Sequence, residues 1–278
     1  RALRTRARSA VAELGGGPSA VAAVMRSVVA GFARARGMVL TDAALDAAGL
    51  LSCADGPKSD HLLSNYLFLD GAAVDDLVLE EIGYVYEALL EVSSRRDNGA
   101  HYTAPELADE VVAHALAPVA SADAAVVDIA AGTGVFLLAS ARFLASSCDR
   151  PVAEIVTRCL YGADIDPVAV DIAKLSLWLL CEDPSLPLTF LDDRILCGNS
   201  LVGLVDADEL PAGVDDPQAY ADAMVAVALP LGGRPGRRLE EAYASLGRCR
   251  RLPVPAVRPI HWALAAPGSG GGCEEVMP

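Results

Sequence analysis

In the middle of the chain, short apolar runs alternate with longer stretches whose apolar positions recur every three or four residues. AVVDIA (125–130) has the length and composition of a buried strand, and GVFLLASARFLAS (134–146) that of a helix. CLYGADI (159–165) predicts a second strand and DPVAVDIAKLSLWLL (166–180) a second helix, with a third strand around RILCGNSL (194–201). Strands that alternate with helices predict a parallel sheet covered on both faces. Ahead of this pattern, residues 1–95 are helical in character: AVAAVMRSVVAGFARARG, TDAALDAAGLL and VDDLVLEEIGYVYEALLEV. In the last of these, Val78, Ile82, Val85 and Leu89 recur at helical spacing, and SCADGPKSD (52–60) interrupts the region with turn formers.

SSRRDNGAHYTAPEL reads as a polar loop entering a new helix, ELADEVVAHAL, which stops before Pro118. Thr103 followed by Glu106 fits a capping box, with Pro105 in the first turn. Beyond residue 205, an Asp- and Ala-rich stretch passes into LGGRPGRRLEEAYASLGRCRR, read as a helical insertion with loops. The tail APGSGGGCEEVMP is of low complexity. The chain shows no internal repeat. These patterns divide it into a helical N-terminal region (1–95), an α/β core (96–205), a helical and loop insertion (206–267) and a disordered tail (268–278).

Composition narrows the function classes. With 278 residues, 53% of them hydrophobic, the chain can bury a sizeable core. A net charge of −15 argues against a protein that simply coats nucleic acid, because phosphates reward clustered Lys and Arg. The charge is uneven: residues 1–37 hold seven Arg against the single acid Glu13, and 234–258 hold seven more Arg, which leaves room for a local basic contact surface. Seven cysteines without a C-x-x-C pair and four histidines without ligand spacing predict scattered thiols in a reducing cytoplasm and no metal site. No apolar run reaches the roughly 18–20 residues of a membrane span. The Arg-rich start has no apolar core of a signal peptide and no Met, and the chain is expected to be a piece of a longer one.

Ligands collect at the carboxyl ends of the strands in an open parallel sheet. Three such ends carry compatible polar groups: Asp128 with the turn Gly132-Thr133-Gly134, Asp164, and Asn199. A glycine turn lets backbone approach a ligand, and the following helix N-terminus favours an anion. An acid on the second strand can accept from both ribose hydroxyls, and an amide on the third can pair with an adenine edge. The implied ligand is adenosine bearing an anionic group. A nicotinamide fingerprint fits poorly, since Leu137 occupies its third glycine position and Asp164 lies 32 residues beyond Gly132 rather than about 20. The glycine pair taken alone also fits an ordinary loop and turn.

The order GAHYTAPEL, DIAAGTGVFL, YGADIDPVAVDIAKLSLWL, LDDRILCGNSLVG resembles the N6-adenine DNA methyltransferases of the gamma class, above all the large enzymes of restriction-modification and BREX- or DISARM-type phage-defence systems. EEIGYVYEALL also resembles the segment just upstream of that family's methylase domain. The resemblance covers about residues 79–204, with an echo at RPIHWALAAP (258–267). It implies a Rossmann-like class I methyltransferase core, a parallel sheet with flanking helices preceded by a helical N-terminal domain, and S-adenosylmethionine as cofactor. Position by position, it implies that Tyr102 and Thr103 lie over the methionine end and that Asp128, Gly132 and Gly134 hold the amino and carboxylate groups, with Phe136 just behind. Asp164 matches the ribose-binding acid and Ile165 packs on the adenine; Asn199 faces the adenine amino group with Leu201 beside the ring. The chain departs from the family at Ala104, where Pro is usual, and at Ala130-Ala131, where Ala-Cys is common. Plainer roles stand beside these: an interface aromatic for Tyr102, a helix cap for Thr103, core packing for Phe136 and Trp178, and helix initiation for Asp166 and Pro167. His261 and Trp262 resemble family residues without a derivable chemical role.

Adenine N6 methylation also requires a flipped base held in line with the methyl donor, which the family achieves with Asn-Pro-Pro-Tyr or Asn-Pro-Pro-Phe. Neither string occurs; DDPQAY (215–220) lacks the double Pro and reads as a helix start. The catalytic residues are therefore unassigned, and the chain is expected to be the cofactor-binding front part of a cytoplasmic methylase, truncated before its catalytic motif. Double-stranded DNA would be met through regions largely missing here, with other defence-system subunits as further partners and no membrane. Two other readings stand: a non-catalytic cofactor-binding or subunit-interaction module, and a nucleotide-dependent oxidoreductase.

Overall fold

The computed structural model describes residues 2–52, 77–90, 103–121 and 124–200. Within them, β1 (Val126–Asp128), β2 (Leu160–Asp164) and β3 (Ile195–Cys197) form a parallel sheet in the order β1-β2-β3. Val126 pairs with Leu160 and Gly162 with Ile195, which brings Asp128 opposite Gly162 and Asp164 opposite Cys197. All three carboxyl ends therefore open on the same side. The described residues include eight α-helices: α1 (Ala2–Glu13), α2 (Gly17–Ala35), α3 (Asp42–Ala48), α4 (Glu80–Leu89), α5 (Pro105–Leu116), α6 (Val135–Cys148), α7 (Val152–Cys159) and α8 (Pro167–Cys181).

Local chemistry fixes the helix that matters most for the site. Asp166 caps α8, its Oδ1 accepting from Val168 N at 3.0 Å and Ala169 N at 3.4 Å, and Pro167 supplies the preset φ of the first helical position. Helix α8 is apolar almost all round because it is enclosed, with Ile172, Leu175, Leu177 and Leu179 essentially inaccessible. One buried cluster extends from Leu3 and Phe32 in the N-terminal helices through Ile82 and Val85 of α4 to Leu160 and Ile195 in the sheet. Helix α2 is buried along most of its length, including Arg26. That guanidinium donates to Leu51 O at 2.7 Å and to Asp46 Oδ1 at 2.6 Å, so its charge is paired as burial demands.

Several expectations need correction. Thr103 does not cap α5. Pro105 takes the first helical position and holds Ala104 extended (φ −61°, ψ 138°), which makes Ala104 the cap residue, with no side-chain bond. Glu106 thus falls one position short of a capping box. Val78 is more than half exposed and precedes α4, so it does not share the buried face of Ile82 and Val85; Glu80 and Glu81 are buried there instead. Glu80 accepts from Arg142 of α6 and Glu81 from Arg4 of α1. The basic start is accordingly used in part inside the fold: Arg4 pairs with Glu81, Arg8 donates to Ala88 O, and Arg26 is enclosed. Helix α7 was not anticipated. It is short, although Val152, Ile155, Val156 and Cys159 have helical spacing. It fills the extra length between Gly132 and Asp164. Among the described residues no helix is long and apolar enough to cross a membrane, and no group of three or more potential ligands converges on a metal position.

Candidate functional site

The turn after β1 is held in place by the neighbouring strand. Ala131 N donates to Ala163 O at 2.9 Å, and Gly132 N donates to Asp164 Oδ2 at 2.8 Å. Gly132 has φ +52° and Gly134 φ +91°, left-handed values that glycine adopts without penalty. The two glycines differ in what surrounds them. A Cβ on Gly134 would sit 3.1 Å from Ala173 Cβ on α8, so this position serves helix packing. A Cβ on Gly132 would meet nothing within 4 Å among the described residues, so none of them covers this backbone.

Asp164 is the hub of the strand ends. Its Oδ1 accepts from Asp166 N at 2.9 Å, its Oδ2 from Gly132 N, and its backbone carbonyl from Gly198 N at 2.9 Å. One residue thus ties the glycine turn, the start of α8 and the end of β3 together. Each carboxylate oxygen keeps acceptor capacity for a further donor. Asp128 lies beside it. Its Oδ1 accepts from Ala130 N at 3.1 Å, while its buried Oδ2 has no hydrogen-bond partner among the described residues. Burial pushes the Asp128 carboxyl above its usual range, the Ala130 N–H counters this, and the Asp164 charge adds to the rise.

A cavity of about 80 Å³ opens against the turn, lined among others by Glu80, Tyr84, Thr103, Gly132, Thr133 and Phe136. Thr103 reaches it because its carbonyl accepts from the Tyr84 hydroxyl at 3.2 Å. Phe136, half-buried on the first turn of α6, also packs with Ala108, Val112 and Ala139. Ile165 is 45% exposed immediately after Asp164, and Asn199 lies two residues past β3, half-buried. The structure therefore gathers Thr103, Asp128, Gly132, Gly134, Phe136, Asp164, Ile165 and Asn199 at one end of the sheet. Tyr102, Leu201, His261, Trp262 and the DDPQAY stretch lie outside the described residues. Trp178 is buried and donates from Nε1 to Leu186 O at 3.0 Å, a core role.

Residues 78–184 match the family described as N-6 DNA Methylase. Over that span the chain is similar to the N-6 DNA methylases. A protein of Methanocaldococcus jannaschii named "Putative type II restriction enzyme and methyltransferase" is 44% identical in a 61-residue alignment that covers 19% of this chain and 5% of that relative. The chain thus spans a small part of the relative's length. No solved structure matches the chain. The N-6 DNA methylase span includes α4, the glycine turn and Asp164, and stops before β3 and Asn199.

Residues missed from the sequence also sit in this methylase span. Gly162 of β2 would place a Cβ 3.0 Å from Leu137 Cδ1, so the room that a dinucleotide fold makes with its third glycine on the helix is here made on the strand. On α4, Tyr86 donates its hydroxyl to Asp166 Oδ2 at 2.6 Å, and Gly83 faces Thr133. A glycine inside an amphipathic helix is the signal that could have marked this close approach.

Proposed function

We propose that the carboxyl ends of β1, β2 and β3 bind S-adenosylmethionine, and that the chain is the cofactor-binding part of an N6-adenine DNA methyltransferase from a restriction-modification or phage-defence system. The observation that carries the reading is a buried Asp128 Oδ2 without a partner among the described residues, beside a glycine turn whose outer face, at Gly132, no described residue covers. A buried carboxylate oxygen without a donor is costly, and a cationic amino group is the partner that relieves it.

The residues present fit that ligand. Asp128 would receive the amino group, and the backbone at Gly132 and the α6 N-terminus would receive the carboxylate. The cavity of about 80 Å³ borders the turn at Gly132 and Thr133 and is smaller than the several hundred Å³ that a whole cofactor-sized ligand needs, so it would take only a part of the ligand. Asp164 would accept from the ribose hydroxyls with the lone pairs its backbone donors leave free, and the exposed Ile165 side chain would be covered by the adenine. Asn199 would read the adenine edge. When bound, the cofactor supplies an electrophilic methyl group on sulfur. The chain's own part is to bind and orient it. The oxidoreductase alternative finds no support at Leu137, which is fully buried under β2 and leaves no third glycine.

Titration calorimetry of the full chain with S-adenosylmethionine tests the reading, with Asp128→Ala expected to weaken binding at least tenfold. No measurable binding by the folded wild type would refute it. Because the 278 residues contain no Asn-Pro-Pro-Tyr or Asn-Pro-Pro-Phe, tritiated methyl transfer from this chain alone to unmethylated plasmid is expected to stay at background.

A further inference from the structure

Helix α4 lies upstream of the sheet in sequence, yet it touches three separate loops at the sheet's open end. Tyr84 holds the carbonyl of Thr103, Tyr86 holds the carboxylate of Asp166, and the Gly83 backbone is in contact with the Thr133 side chain. Adding a Cβ to Gly83 would overlap Thr133 Oγ1 and come 2.9 Å from Thr133 Cβ. Gly83 has no unusual φ, so a turn does not demand glycine here; space does. Thr133 is the middle residue of the glycine turn, between the open Gly132 and the packed Gly134. Gly134 is packed against α8, since a Cβ built on it would come 3.1 Å from Ala173 Cβ, which leaves little room behind the turn. Pressure on Thr133 would therefore move Gly132 toward the ligand side.

Helix α4 is itself fixed from both flanks. Buried Glu80 accepts from Arg142 of α6, and buried Glu81 from Arg4 of α1, whose guanidinium also lies 5.5 Å from the centroid of the Tyr84 ring. The helix is a rigid backing for the turn, and the turn has no slack behind it.

We infer that Gly83 is a positioning residue for cofactor binding: its missing side chain seats Thr133 against α4 and so sets the place of Gly132 in the site. This rests on the S-adenosylmethionine reading given above.

The test is a size-swap cycle in the full chain: wild type, Gly83→Ala, Thr133→Gly and the double variant, with S-adenosylmethionine affinity by calorimetry and Tm by circular dichroism. Alanine is the better helix former, so Gly83→Ala without a steric consequence would raise Tm and leave affinity alone. The expected result is instead at least a tenfold loss of affinity in Gly83→Ala. The double variant is expected to bind within threefold of Thr133→Gly, because removing the Thr133 side chain removes the overlap. A purely structural role would lower Tm in Gly83→Ala and leave the affinity of the folded variant unchanged. Wild-type binding with unchanged affinity in folded Gly83→Ala overturns the inference alone, whereas absence of wild-type binding overturns the site reading and the inference with it. If Gly83→Ala does not fold, the pair Thr133→Gly and double variant decides. A double variant that stays unfolded, or binds tenfold more weakly than Thr133→Gly, overturns the inference.

Discussion

Replacing Asp164 with alanine removes more than a ribose contact. Its carboxylate accepts two backbone N–H bonds, from Gly132 at 2.8 Å and from Asp166 at 2.9 Å. Hydrogen bonds to a charged acceptor contribute about 1.5–3 kcal/mol each, and leaving a buried donor unmade costs a similar amount. All three residues are only half-buried, so water replaces part of the loss. The lower end of the range therefore applies, giving a stability loss of about 2–3 kcal/mol for the pair. Losing the acceptor for two ribose hydroxyls adds about 1.5–3 kcal/mol to the binding deficit, a roughly ten- to hundredfold weaker affinity. Asp164→Asn is the informative companion. Its carbonyl can accept one of the two N–H groups, but its NH₂ then faces the other donor, so it is expected to lose nearly as much as alanine. The assay is calorimetry with S-adenosylmethionine alongside urea unfolding of each variant. Wild-type affinity in folded Asp164→Ala would refute the ribose assignment, and an unchanged urea midpoint would refute the stabilising role of the two backbone bonds.

Gly132→Val is expected to abolish S-adenosylmethionine binding while most of the fold persists. A β-branched residue at φ +52° costs about 1–2 kcal/mol in backbone strain, and its side chain enters the open space against the turn; global unfolding at 25 °C would instead make the turn chiefly structural. Asp193 offers a pH test. Burial and the neighbouring Asp192 push its carboxyl from 3.8 up to about 6, against the pull of Arg194 and Lys174, and its Oδ1 is buried without a partner. An acid whose pKa is higher folded than unfolded favours the folded state at low pH, and that stabilisation is lost as pH rises from about 4 to about 6. A shift of this size is nominally about 3 kcal/mol, but the group is half-exposed and screened, so Asp193→Asn should gain about 1 kcal/mol at pH 7.5 and little at pH 4. Urea unfolding at both pH values checks this, and an equal effect at the two would contradict it.

Features that depend on neighbours along the chain were legible in the residue order. Alternating apolar runs set the order of strands and helices from 125 to 197 apart from α7, because a strand's period of two and a helix's period of 3.6 are local signals. Asp166 and Pro167 announced the start of α8, and Gly132 and Gly134 announced a turn, since caps and left-handed backbone are decided within a few residues. Where a second local rule competed, the reading failed: Pro105 moved the cap of α5 from Thr103 to Ala104. Only the tertiary structure decided which distant groups meet. Glu80 and Glu81 of α4 can be buried only because the fold brings Arg142 and Arg4 to them. Asp164 read as a ligand acceptor, and the fold made it also the acceptor for two backbone donors, one of them 32 residues away. Gly83 and Thr133 are 50 residues apart, and no periodicity links them. Their contact exists because α4 is pressed against α6 and α8 by a shared core, and packing at that density leaves no room for one more carbon.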